Sequence, residues 1–172
     1  METIETIQHN NKTIHIAYDD IPESPRDWDN LGTFALFHNR YTLANEEDLS
    51  IEETQGIASS NDYLALNVYM YDHSGIALSC SPFSCPWDSG QVGIIYISKE
   101  KIRKEYNVKR ISKQLKARIF QYLESEVAVY SSYLNGEIYS FFIEDEIGEI
   151  VDSCGGFYSL EDAKSEALNF IA

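Results

Sequence analysis

The sequence predicts an α+β fold, in which a mostly antiparallel sheet is packed by one long helix and by shorter helices that include a C-terminal one. Short segments rich in β-branched and aromatic residues occur in pairs around turn-forming stretches, as in β-hairpins. Apolar residues recur every three or four positions over about residues 111–134, which predicts a long amphipathic helix. Hairpins and helices are mixed instead of alternating strictly, and this order disfavours a doubly wound parallel sheet.

The first predicted elements are a hairpin, a loop and a strand. Apolar and polar residues alternate over 3–8 and again over 13–18, and the residues between these segments tolerate turn geometry. Prolines within 19–32 fix their own φ and keep the preceding residues out of a helix, so this segment is predicted to be an ordered loop. Residues 33–38 then have the composition of a strand.

A short helix and three core strands are predicted for the middle of the chain. Ser50 stands three residues before Glu53, which is the spacing of a capping box and indicates the start of a helix. The segments 64–71, 76–80 and 92–98 are rich in β-branched and aromatic residues and are predicted to be strands.

The last third of the chain is predicted to contain three helices and a second hairpin. Ser98 is placed to cap a first helix, and the apolar stripe over 111–134 predicts the longest helix, which an Asn-Gly pair ends. The turn-forming stretch 144–148 predicts the second hairpin, and Ser159 is placed to cap the C-terminal helix.

Length and composition predict one soluble domain in the cytoplasm of the cell that makes it. A chain of 172 residues is typical of a single domain, so residues 1–172 are expected to form one. No apolar run approaches the roughly 18 residues that cross a bilayer, and the N-terminal residues lack the pattern of a signal peptide. Three cysteines are an odd number and too few for a disulfide framework, so reduced thiols are expected.

The charge balance is strongly acidic and excludes two classes of partner. The chain has 13 basic and 28 acidic residues, a formal net charge of −15. Such a surface repels phosphate backbones and anionic lipid, so direct binding of nucleic acid or membrane is not expected. The basic run over 99–118 is expected to pair with carboxylates of the same chain.

A cluster of polar residues around His73 and Cys85 has two interpretations. A thiol near a histidine has the composition of a small Cys/His-dependent hydrolase or transferase, with Cys85 as nucleophile, His73 as base and Asp88 nearby. In the alternative, His73 lies in a hairpin turn while Cys85 and Trp87 fill the core. No local signature of a cysteine hydrolase surrounds Cys85, which favours the second interpretation and a protein that is not an enzyme.

Neither a metal site nor a cofactor site is predicted. His73, Cys80, Cys85 and Cys154 are ligand types that zinc accepts, yet they lack the close pairs, two to four residues apart, of structural zinc sites. The chain contains no phosphate-cradling Gly-rich loop and no dinucleotide-binding fingerprint.

Arg26 and Trp28 are candidate binding residues in the first loop. Arg26 has the fork geometry that binds anions, and Asp27 with Asp29 has the composition of a general acid/base pair. We favour the interpretation in which Arg26 pairs with a carboxylate and Trp28 anchors the loop to the core. His38 is expected to pair with a carboxylate or to be a buried, hydrogen-bonded side chain.

An acidic stretch before and within the first helix is the main candidate binding surface. Carboxylates spread along a surface imitate the charge of a duplex, and a DNA mimic of this kind can occupy the basic channel of a nucleic-acid enzyme. The alternative is that the charge serves solubility. The candidate residues are Glu46, Glu47, Asp48, Glu52 and Glu53.

Several longer strings resemble a family of small proteins carried by phages, prophages and plasmids. The strings are SPRDWDNLGTF, HNRYTLANE, YMYDHSGIALS, PFSCPWDSGQVGIIYIS and DSCGGFYS, and the resemblance extends over about residues 14–158. It implies an origin in a mobile element and transfers no catalytic residue. Members of that family tend to carry a bulkier residue where this chain has Gly155.

Resemblance and acidity together lead to the first functional hypothesis. Small accessory proteins of mobile elements often neutralise host defence, so we expect a non-catalytic acidic inhibitor of a CRISPR nuclease or restriction enzyme. Its partner is then a host protein or ribonucleoprotein defence complex. The alternatives are the hydrolase or transferase centred on His73 and Cys85, and an interaction module in phage replication or regulation.

Overall fold

Eight strands and four α-helices are found in a computed structural model that describes residues 3–171. All strand pairs are antiparallel, and the strands form two separate four-stranded sheets. The α+β class predicted from the sequence is confirmed. The chain divides into two compact units, a first unit of Met1–Asp27 with Ser132–Ala172 and a second unit of Trp28–Ser131.

The first unit contains a sheet of strand order β1-β2-β7-β8 and the C-terminal helix α4. Both predicted hairpins lie in this sheet, since β1 pairs with β2 and β7 pairs with β8. The hairpins join through the β2–β7 pair, in which Ile14 lies opposite Ile143. The bounds are β1 Thr3–His9, β2 Lys12–Tyr18, β7 Tyr139–Glu144, β8 Ile150–Phe157 and α4 Leu160–Asn169.

The core of the first unit is formed where α4 packs on the β2–β7 strands. Alternation along each strand directs every second side chain to the helix, and Ala163 and Ala167 give α4 a face small enough to approach closely. Ser159 caps α4 by accepting a hydrogen bond from the Asp162 N–H, as predicted. The buried cluster consists of Ile14, Ile16, Phe141, Ile143, Ala163, Ala167 and Ile171.

Gly155 in β8 has a specific role in the first unit. A Cβ at this position would overlap the Asp19 carboxylate, whose Oδ2 accepts a hydrogen bond of 2.8 Å from the Gly156 N–H. Gly156 itself has φ of +81°, a conformation that favours glycine. A larger side chain at position 155 would therefore displace the Asp19 carboxylate.

The second unit contains a sheet of strand order β3-β6-β4-β5 and the helices α1, α2 and most of α3. Residues up to Ser131 of α3 group with this unit. Predicted helix 111–134 is confirmed as α3, and the predicted caps at Ser50 and Ser98 begin α1 and α2. The bounds are β3 Thr33–Leu36, α1 Ile51–Ser59, β4 Tyr63–Asp72, β5 Ile76–Ser79, β6 Ser89–Ser98, α2 Lys99–Glu105 and α3 Lys113–Leu134.

Strand β6 lies in the interior of the second sheet and is covered on both faces. On one face, Ile94 and Tyr96 pack with Ile57 of α1. On the other, the ring of Phe34 in β3 lies 5.2 Å from that of Tyr130 in α3. Burial on both faces explains why β6 has a continuous apolar run instead of alternation.

Two features of the fold differ from or go beyond the sequence prediction. The sequence predicts one mostly antiparallel sheet, whereas the strands separate into two sheets. Local patterns predict that a segment is a strand, but they contain no information on which strand lies beside it. A single domain over 1–172 stays a prediction, because the compactness of each unit does not establish how the two associate.

Within residues 3–171, no helix is long and apolar enough to cross a membrane.

Candidate functional site

Three segments that are far apart in the sequence meet at one end of the second sheet. Strand β4 ends at Asp72 and β6 begins at Ser89, and antiparallel pairing of the two strands places Tyr71 opposite Ser89. The Asp72 N–H donates to the Asp88 carbonyl at 2.8 Å, and Arg40 reaches the same place from the segment after β3. We call this group the Asp72–Asp88 site, and it comprises Arg40, Tyr41, Asp72, His73, Cys85, Trp87 and Asp88.

Asp72 is held by two side chains from the HNRY segment. Its Oδ2 accepts from the Arg40 guanidinium, and its Oδ1 accepts from the Tyr41 hydroxyl at 3.0 Å. The hydrogen bond to Asp72 raises the pKa of Tyr41, since it stabilises the protonated phenol. His38 stacks on Tyr41 at 5.0 Å between ring centroids, and its Nδ1 accepts from the Arg40 N–H at 3.2 Å. His38 is thus half-buried and hydrogen-bonded, in agreement with the second of its two interpretations.

His73 and Cys85 both contact the Asp88 carboxylate. Asp88 Oδ2 lies 3.4 Å from His73 Nδ1 and 3.6 Å from Cys85 Sγ. In the described residues, Cys85 and His73 form no hydrogen bond with each other. A cysteine nucleophile needs its base within hydrogen-bond reach, and here thiol and imidazole each contact the Asp88 carboxylate instead of each other. The arrangement therefore does not favour the hydrolase or transferase interpretation.

A pocket of about 380 Å³ lies beside Asp72 and Asp88, and Trp87 stands at it. The Trp87 side chain is 91% exposed, so the prediction that Trp87 fills the core is wrong. Cys85 is half-buried. The pocket is lined mainly by polar groups, among them Asn39, Arg40, Asp72, Asp88 and Gln91.

The other thiols lie in different environments. Cys80 borders a separate pocket of about 310 Å³ beside Glu124, whereas Cys154 is exposed on β8. Burial, assisted by the Glu124 carboxylate, raises the pKa of Cys80 to about 11. No group of three or more His, Cys, Asp or Glu side chains in residues 3–171 is arranged to hold a metal ion.

We expect Cys80 to resist alkylation while the protein is folded. With a pKa of about 11, its thiol stays protonated at pH 8, and only the thiolate reacts. Iodoacetamide at pH 8 should label exposed Cys154 at least roughly 100-fold faster than Cys80, and Cys80 labelling should accelerate as the pH rises toward 11. Peptide mass spectrometry over time measures both rates. Equal rates in the folded protein would contradict the buried position, and equal rates in urea are the control.

Most of the predicted acidic cluster has internal hydrogen bonds. The Glu46 carboxylate accepts from the Phe34 N–H, and Glu47 accepts from the Tyr96 hydroxyl at 2.7 Å. Glu53 accepts from the Ser50 N–H, which completes the capping box and lowers the pKa of the Glu53 carboxyl. All five carboxylates of the cluster are exposed. The two that have no such bond in the described chain are Asp48 and Glu52.

Arg26 and Trp28 are close in the chain, but Arg26 belongs to the first unit and Trp28 to the second. Arg26 belongs to the 3₁₀ turn Pro25–Asp27 and is half-buried, and its N–H donates to the Ser24 hydroxyl. Trp28 is 45% exposed, less buried than a core anchor. A role in binding for either residue stays a prediction.

The basic residues of 99–118 do not pair as the sequence predicts. Lys101 Nζ donates to the carbonyls of Asn30 and Leu31 at 3.0 Å, and Arg118 donates to the Tyr122 hydroxyl. Among the described residues, none of the basic side chains in this run forms an ion pair with a carboxylate. Sequence spacing alone does not indicate that carbonyl and hydroxyl oxygens are their acceptors.

Acidity is unevenly divided between the two units, which the sequence order conceals. The first unit holds 15 acidic and 3 basic residues, a net of −12, and the second holds 13 acidic and 10 basic residues, a net of −3. The first unit is built from both ends of the chain, so its charge is divided in the linear sequence. Only the fold brings these carboxylates into one unit.

The chain matches no protein-family model, no curated protein and no solved structure.

Proposed function

We propose that this protein is a non-catalytic accessory protein of a mobile element and that it inhibits a host nucleic-acid-dependent defence complex, such as a CRISPR nuclease or a restriction enzyme. It binds the basic surface on which that complex holds nucleic acid. The observation that carries the proposal is the net charge of −12 on the first unit. A surface of one sign attracts a surface of the other and accelerates their encounter.

Exposure of the carboxylates in the first unit supports this function. Most of them lie on loops, turns and the outer face of α4, where they are accessible to a partner. Basic residues, which would neutralise them, number three in this unit. The exposed members are Asp20, Glu23, Asp27, Glu137, Glu146, Glu149, Glu161, Asp162 and Glu166.

The cluster at Glu46–Glu53 lies in the second unit and is a second acidic surface in this proposal, with a smaller share of carboxylates that lack internal hydrogen bonds. Reversal of the whole cluster is not a clean test, because Glu46, Glu47 and Glu53 also accept hydrogen bonds within the second unit. Loss of those bonds is expected to reduce the stability of the second unit. Asp48 and Glu52 are the members whose charge can be reversed with least effect on the fold.

Charge reversal in the first unit should abolish binding while the fold survives. The first variant combines Glu23→Lys, Asp27→Lys and Glu149→Lys, and the second combines Asp48→Lys with Glu52→Lys. We expect the first variant to weaken binding to the defence complex at least tenfold and the second variant to weaken it less. Both variants should stay folded, since exposed charges contribute only about 0–1 kcal/mol each to stability. Affinity capture from host lysate identifies the partner, and DNA cleavage by the captured complex measures inhibition.

An opposite charge change is the matched control. Lys109→Glu alters an exposed residue of the basic run and should leave inhibition unchanged or strengthen it. Raising the salt concentration should weaken wild-type binding, because ions screen exposed charges. Salt-insensitive binding, or full inhibition by both charge-reversed variants, would mean that the acidity serves solubility alone.

A further inference from the structure

The Asp72–Asp88 site has the features of a binding pocket. Its ligand is different from the basic surface that the proposed inhibition involves. It lies in the second unit, where the net charge is only −3, and it is formed by three segments that strand pairing brings together. Its pocket of about 380 Å³ is large enough for one extended side chain or small molecule.

Asp88 provides a carboxylate oxygen that is available to a ligand. Its Oδ2 contacts His73 and Cys85, whereas no donor within residues 3–171 contacts its Oδ1. The Asp88 side chain is 39% exposed and lines the pocket. Asp72 differs, since both of its oxygens are occupied by Arg40 and Tyr41. Asp88 is therefore the carboxylate that can accept hydrogen bonds from outside the chain.

Trp87 supplies an exposed aromatic side chain to the same pocket. It precedes Asp88 in the chain, lines the same pocket and is 91% exposed, the most exposed large hydrophobic side chain of the described residues. An indole in this position loses contact with water only when a ligand covers it. Tryptophan is the aromatic side chain that binds cations best through its face.

The charges at the pocket determine which ligands it can accept. The pocket is lined by two carboxylates, Asp72 and Asp88, and by one permanent cation, Arg40. Arg40 already forms an ion pair with Asp72. A phosphate or carboxylate ligand would meet the negative charge of Asp88, which contacts His73 but pairs with no Lys or Arg in the described residues. A planar cation satisfies both features at once, because its donors bind the Asp88 carboxylate while its face stacks on the indole.

We propose that the pocket between Trp87 and Asp88 binds a guanidinium group, presented either as an arginine side chain of another protein or as a free small molecule. Trp87 binds the face of the guanidinium, and Asp88 Oδ1 accepts its N–H donors. This inference does not depend on the proposed inhibition, since it concerns a different unit and a different ligand.

Titration with small probes tests the proposal on the full chain. The probes are agmatine, the tripeptide acetyl-Gly-Arg-Gly-amide and the same tripeptide with citrulline, a neutral isostere, in place of arginine. The indole N–H signal of Trp87 in NMR spectra, assigned by its loss in Trp87→Phe, reports on binding at this site. Both guanidinium probes should shift the signal, and the citrulline peptide should bind at least tenfold more weakly.

Comparison of the two guanidinium probes identifies the source of the ligand. Tighter binding of the arginine peptide indicates an arginine side chain of a protein, and equal binding indicates recognition of the guanidinium alone. Either result agrees with the proposal. Methyl glucoside serves as a neutral polyol, and preferential binding of this probe would replace the proposal with a sugar site.

Two variants separate the cation site from a general effect of charge. Asp88→Asn keeps the shape of the side chain but removes its charge, and Trp87→Ala removes the aromatic face. In isothermal titration calorimetry, which does not need the Trp87 signal, each should weaken binding of the arginine peptide about tenfold. Asp62→Asn, which changes an exposed carboxylate outside the pocket, should not change the affinity. Thermal unfolding should show that Trp87→Ala is folded, because the side chain is exposed. Unchanged affinity in folded Asp88→Asn, or equal binding of the citrulline peptide, would overturn the proposal.

Discussion

Replacing Ile119 by Asp is expected to unfold the second unit. Ile119 lies on α3 and is fully buried, so the substitution places an unpaired carboxylate in an apolar interior. Its desolvation costs several kcal/mol, and the lost apolar packing adds about 2–5 kcal/mol. The sum is comparable to the total stability of a typical domain, about 5–15 kcal/mol. Circular dichroism with urea denaturation measures the loss.

The exposed neighbour Ala117 offers a matched control on the same helix. Ala117→Asp introduces the same charge where it stays in water. Only the difference in helix propensity is expected, well under about 1 kcal/mol. If Ile119→Asp unfolded at the same urea concentration as Ala117→Asp, the apolar stripe of α3 would not be part of the core.

Substitution of Gly93 by Ala is expected to cause the second-largest loss of stability, about 3–5 kcal/mol. Gly93 has φ of +150°, and a Cβ there would overlap the carbonyl oxygen of Ala35 in the neighbouring strand. The β4–β6 register shifts between Val68 and Tyr69, next to the residue that pairs with Gly93, so the position belongs to a β-bulge. A methyl group would have to push β3 away from β6 or straighten the bulge.

Gly90 in the same strand serves as the control for this substitution. Its Cβ would meet nothing within 4 Å, and its φ lies outside the range that favours glycine. Gly90→Ala should therefore change the free energy of unfolding by less than about 0.5 kcal/mol. If Gly93→Ala and Gly90→Ala had the same free energy of unfolding, the close approach of β3 and β6 at Gly93 would not contribute to stability.

Sequence patterns identified His73, Cys85 and Asp88 of the Asp72–Asp88 site, but not Arg40, Tyr41 and Asp72 and not the arrangement. His73, Cys85 and Asp88 were selected for their chemistry, and the His73 turn was predicted. Both His73 and Cys85 contact one oxygen of Asp88, which local spacing does not reveal. Arg40 is not predicted as a site residue, although a charged side chain a few residues after a strand is a signal that could indicate it.

Predictions from Trp87 and the acidic cluster show why burial and pairing are hard to derive from sequence. A tryptophan is usually buried in large part, so Trp87 was assigned to the core, yet it is exposed at a pocket. Glu46 and Glu47 have the composition of a solvated surface, but β3 and Tyr96 supply donors to them. Both outcomes depend on side chains that are distant in the chain.

The sequence by itself determined the α+β class, the long helix over 113–134, the hairpins and the helix caps at Ser50, Ser98 and Ser159. The helices and their caps arise from contacts between residues at most four positions apart, and each hairpin is indicated by the turn that joins two strands adjacent in the chain, so these signals are local. Only the tertiary structure decided that the strands form two sheets, that both chain ends build one unit of net charge −12, and that Asp72 meets Asp88. The reason is strand pairing: register joins residues far apart in the chain, and no local pattern specifies the partner strand.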